Sequence, residues 1–60
     1  MKPNIGDTYY IPLICAQGNI KSKIWGDSEI DNILFLQGKV FTNRIEAKKY
    51  SREKFYELKK

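Results

Sequence analysis

An α+β fold is what this 60-residue sequence predicts: a three-stranded antiparallel sheet with one C-terminal helix packed on one face, in the order β-β-β-α. Three observations predict it. Two runs rich in aromatic and β-branched residues, 8–15 and 20–25, flank Gln17-Gly18-Asn19, which suits a hairpin turn. A third apolar run at 33–37 is bounded by turn residues. After Thr42 no glycine or proline interrupts a stretch of helix formers that reaches the end of the chain.

In chain order, Pro3-Asn4-Ile5-Gly6-Asp7 is an irregular lead-in of turn formers. The first strand follows at 8–15. Pro12 lacks a ladder donor and marks that strand as an edge or a bulge. The second strand, 20–25, alternates cleanly, with Ile20, Ser22 and Ile24 on one face and Lys21, Lys23 and Trp25 on the other. The lysines mark their face as the solvent side. Gly26-Asp27-Ser28-Glu29 breaks the pattern, with Ser28 or Asp27 capping a short turn through Asp31-Asn32. Residues 33–37 then read as a buried strand, and Gly38-Lys39 as a bend. Thr42 is the expected N-cap of a helix over 43–58. At 100° per residue, Ala47, Tyr50, Ser51, Lys54 and Leu58 fall within about 100° of arc, with Phe55 just beyond. That is the expected buried seam, with Lys54 snorkelling from it. Glu46, Glu53 and Glu57 line one flank; Arg44, Lys48, Arg52 and Lys59, with Tyr56, line the other.

Composition narrows the chemistry. The 42% apolar and 30% charged residues are those of one globular domain, 1–60, with a thin core. There is no histidine, which removes the commonest general base and most zinc sites. The single cysteine, Cys15, has no partner for an intrachain disulfide, which favours a reducing, cytoplasmic setting. It is expected to be buried and structural inside the first strand. No apolar run approaches the roughly 20 residues of a membrane span, and no signal peptide is recognisable. Asp27, Glu29 and Asp31 are spaced like part of a calcium loop, but the glycine and glutamate such a loop needs at its sixth and twelfth positions are Asn32 and Gly38 here. They read as a polar turn, with no metal and no cofactor expected.

The net charge of +4 is unevenly spread: residues 1–38 carry net −1 and residues 39–60 carry net +5. That asymmetry favours an acidic partner, against the alternative that a helix rich in lysine and glutamate is simply solvated. The basic edge Arg44, Lys48, Arg52 and Tyr56 is the expected partner-binding surface, because Arg and Tyr are enriched at interface hot spots. Lys21, Lys23 and Trp25 form a second candidate surface, suited to stacking a base while the lysines meet phosphate. Trp25 reads rather as the largest core residue of a chain short of core.

The order of landmarks also resembles small uncharacterised phage and prophage proteins. It runs Gly6-Asp7-x-Tyr9-Tyr10, then Trp25-x-Asp27 with Asp31 after it, then Gly38-Lys39-Val40-Phe41-Thr42 leading to Glu46-Ala47, over about residues 6–50. Lys39 stands where those proteins often have asparagine. The resemblance implies a mobile-element origin and no particular activity. The reading that results is a small non-enzymatic binding protein that docks on a host protein in the host cytoplasm and inhibits a defence nuclease, as anti-CRISPR proteins do. The alternative is a nucleic-acid-binding module. A homodimer is expected as well, since a thin core and open sheet edges favour pairing.

Overall fold

The computed structural model describes residues 2–59. Its elements are β1 (Thr8–Pro12), β2 (Ile20–Ile24), α1 (Glu29–Leu36) and α2 (Arg44–Lys59). The strands form a two-stranded antiparallel sheet with Tyr9 opposite Lys23, Tyr10 opposite Ser22 and Pro12 opposite Ile20. The α+β class and the C-terminal helix hold; the third strand does not.

Residues 33–36 of the 33–37 run are the second half of α1 and Gln37 is its C-cap, so the run is not a strand. Its helical state is set at both ends by hydrogen bonds that an apolar pattern does not reveal. At the start, the Ser28 hydroxyl accepts from the Asp31 amide while the Asp31 carboxylate accepts from the Ser28 amide, a capping box. At the end, Gly38 adopts φ +72°, its N–H donates to the Phe35 carbonyl, and the Lys39 N–H donates to the Leu34 carbonyl. That is a Schellman stop, and a left-handed residue there is favoured to be glycine. What accompanies β1 on its other side is a single bridge to Phe41, with the Tyr10 and Phe41 amides donating to each other's carbonyls at 2.7 and 3.0 Å.

The first strand stops at Pro12 rather than running to residue 15. The Leu13 amide donates to the Asn19 carbonyl at 2.9 Å, and the chain turns over 15–18. Cys15 is therefore half-buried in this turn, not enclosed in a strand. Its sulfur accepts from the Asn19 amide at 3.2 Å, a bond that pulls the thiol pKa below its ordinary value. Gly18 (φ +71°) lies against α2 so closely that a Cβ there would sit 2.8 Å from the Lys48 carbonyl oxygen. The fully buried Ala47 and Ser51 line the same side of α2, and the Ser51 hydroxyl donates to the Leu13 carbonyl at 2.6 Å. Small residues on both partners permit this approach.

The N-cap of α2 is Asn43, one residue after the Thr42 expected. Asn43 Oδ1 accepts from the Ile45 and Glu46 amides at 2.8 and 3.2 Å. The Phe41 bridge holds the chain extended at that point, so the helix starts one step later, where an equally good cap is available. Ala47 and Ser51 are buried, and Tyr50, Lys54 and Phe55 are half-buried, as the seam requires. Lys54 snorkels, its Nζ 5.8 Å from the Tyr50 ring centre. Leu58 is the exception at 74% exposed, since the last turn of α2 reaches past what it packs on.

The faces of β2 depart from those expected in its second half, where Lys23 is half-buried and Ile24 exposed, while Ile20 is half-buried and Lys21 exposed as expected. Trp25, which follows β2 directly, is 2% exposed, while Ile24 faces solvent. The Trp25 ring meets Tyr9 edge-on at 5.5 Å and Phe35 at 6.3 Å, joining the hairpin to α1. Lysine alternation marked the wrong side as wet because Lys23 has an ionic partner inside.

Candidate functional site

That partner is Asp31, 1% exposed and the only buried residue of α1. Five donors converge on its carboxylate. Tyr9 Oη and Lys23 Nζ donate to Oδ1 at 2.5 and 2.6 Å. The Gly26 amide, the Ser28 amide and the Ser28 hydroxyl donate to Oδ2 at 2.9, 3.2 and 2.9 Å. The Lys23 ammonium, then the Tyr9 hydroxyl, hold the Asp31 carboxyl far below the usual carboxylate range, against the opposing effect of burial. The same hydrogen bond raises the Lys23 pKa, and burial followed by the Asp31 bond raises that of Tyr9. A carboxylate with this many fixed donors is an anchor: it is ionised, saturated and closed to a substrate. Its companions diverge. Asp27 (φ +56°) accepts from the Asn32 amide group at 2.9 Å, and Glu29 is exposed. Among the described residues no three His, Cys, Asp or Glu side chains gather as a metal-holding group.

Of the aromatic–lysine surface suggested by sequence, Lys21 is exposed and Lys23 keeps about a third of its side chain in solvent. Trp25 is core, and Lys23 is neutralised by Asp31. Burying the indole removes more apolar area from water than any other side chain of this chain offers, and Asp31 pairs with the partly exposed Lys23 on the same face.

The basic edge of α2 is intact. Arg44, Lys48, Arg52 and Tyr56 are all exposed and spaced four apart along one ridge. Among the described residues none of the three cations enters an ion pair; the α2 pairs are Lys49–Glu53 at 3.9 Å and Lys54–Glu57 at 3.5 Å, on other flanks.

A surface that sequence reasoning missed lies on α1. With Asp31, Leu34 and Phe35 turned inward, Ile30, Ile33 and Leu36 face solvent within about 120° of arc, and Leu36 is 84% exposed. The signal was available: Ser28-x-x-Asp31 before an apolar run and Gly38 after it are the cap signatures of a short helix. Comparison with protein-family models, with curated proteins and with solved structures finds no match.

Proposed function

We propose that this chain is a small non-enzymatic binding protein whose partner is an acidic protein. The observation that carries the reading is the inverted helix α1, which buries its carboxylate and turns Ile30, Ile33 and Leu36 to solvent. Contiguous exposed aliphatics on a rigidly anchored helix suit a partner's apolar groove. The unpaired Arg44, Lys48 and Arg52 on α2 add a field that attracts acidic surfaces and speeds encounter. The resemblance to phage and prophage proteins extends the reading to a host protein, with a defence nuclease as the target class and a cytoplasmic setting.

The test is affinity capture from host lysate with the wild-type chain, Leu36→Glu and Arg52→Glu side by side. A protein recovered by wild type, lost with Leu36→Glu and reduced with Arg52→Glu is the expected result. Recovery unchanged by Leu36→Glu, or nothing above background, overturns it. A sedimenting dimer that Leu36→Glu splits would assign the α1 face to a second copy instead.

The α2 ridge favours nucleic acid as the second reading, because three exposed cations at a four-residue spacing track a phosphate backbone. Polarisation titration at about 50 mM salt decides it, and binding weaker than about 100 μM rejects it.

A further inference from the structure

The face of the hairpin opposite Tyr9 and Lys23 carries a different feature. An open groove of about 380 Å³ lies there, lined by Thr8, Tyr10, Ile20, Ser22 and Arg44. Its shape follows from the strand register. Tyr10 and Ser22 are direct partners across the ladder, so their side chains stand on one face about 5 Å apart at Cβ, with Thr8 two residues along on that face. The Tyr10–Phe41 bridge then returns the chain to the edge of β1. Arg44, the first residue of α2, follows three positions later and completes the lining.

The lining has a particular chemistry: three hydroxyls, one guanidinium, one aliphatic side chain and no acid. Among the described residues Arg44 takes part in none of the ion pairs. The Ile45 and Glu46 amides are already held by Asn43, so recognition here belongs to side chains, with the positive end of α2 adding to the field. A guanidinium offers paired donors to an oxyanion, and hydroxyls complete a tetrahedral group that accepts from several directions.

We propose that this groove binds a small phosphate monoester, with Arg44 as the anchor for the phosphate, Tyr10 and Ser22 hydroxyls as further donors, and Ile20 against the carbon portion. The proposal draws on the sheet face and not on α1, and it shares Arg44 with the basic ridge of α2.

The experiment is an amide-resolved NMR titration of the full chain with ribose 5-phosphate, inorganic phosphate, acetate and ribose at constant ionic strength. Ribose 5-phosphate should give saturating shifts at Tyr10, Ser22 and Arg44 at millimolar concentration. Inorganic phosphate should shift the same residues more weakly, and acetate and ribose should not saturate. Arg44→Gln should retain the dispersed spectrum of the fold and abolish saturation; Ser22→Ala should weaken binding about fivefold. Non-saturating shifts to 50 mM, saturation that survives Arg44→Gln, shifts centred on Lys48 and Arg52, or equal binding of acetate would each overturn the proposal. Tighter binding of inorganic phosphate than of the ester would overturn the assignment to an ester.

Discussion

Helix α1 is apolar in composition and is held by a carboxylate; helix α2 is polar in composition and is held by two small residues and a set of aromatic rings. In α1, Asp31 goes inside and Ile30, Ile33 and Leu36 stay out. In α2, Ala47 and Ser51 lie against the 13–18 loop, Tyr50 meets Phe41 at 5.2 Å, and the cations stay out. In a chain with so little core, what matters is which side chain finds a geometrically complete partner. Five donors make Asp31 a stronger determinant of orientation than three aliphatics whose burial would need surface the protein lacks.

Breaking that anchor should have the largest effect. Asp31→Ala leaves the buried Tyr9 hydroxyl without its acceptor, deprives the partly exposed Lys23 of its ion-pair partner and removes half of the capping box of α1. We expect the melting midpoint, followed by circular dichroism, to fall by more than about 10 °C. A fall of only a few degrees would mean that Trp25 packing, not the carboxylate, holds α1.

The same anchor sets the pH profile. The folded-state pKa of Asp31 is depressed, so its stabilisation is complete above about pH 4, the ordinary carboxylate value, and is lost as the pH falls from there. Those of Lys23 and Tyr9 are raised, so their stabilisation is complete below about pH 10 and is lost as the pH rises. Urea midpoints should be flat between about pH 5 and 9 and fall on both sides; Asp31→Asn should flatten the acid limb.

On the α2 side, Gly18→Ala puts a Cβ 2.8 Å from the Lys48 carbonyl at φ +71°. A loss of about 2 kcal/mol in chemical denaturation is expected. Asn43→Ala should lose about 1 kcal/mol, while Thr42→Ala stays near neutral, which separates the two cap assignments. Smallest of all, Leu36→Glu should change stability by less than about 0.5 kcal/mol although it replaces an aliphatic residue in an apolar run. A large loss there would show that α1 is covered in solution.

Several features were legible in the residues themselves. The hairpin turn around Gly18, the alternation of β2, the seam of α2 and its basic ridge follow from backbone preference and from a period of two or 3.6, which are local properties. The basic candidate site was equally legible, because a ridge of cations four apart depends only on the helix being there. The rest depended on hydrogen bonds that an apolar period does not show, local at the caps and the turn and distant at Asp31. Whether residues 33–37 are strand or helix was decided by caps at Ser28 and Gly38, and the length of β1 by the turn that closes after Pro12. Which face of β2 is wet was decided by Asp31 meeting Tyr9 and Lys23, 22 and 8 residues away in the chain. The groove at Arg44 exists because a single bridge at Phe41 returns the chain to the side of β1. Side-chain alternation names two faces but not which is buried; that is settled by the partners each face acquires when the chain closes on itself.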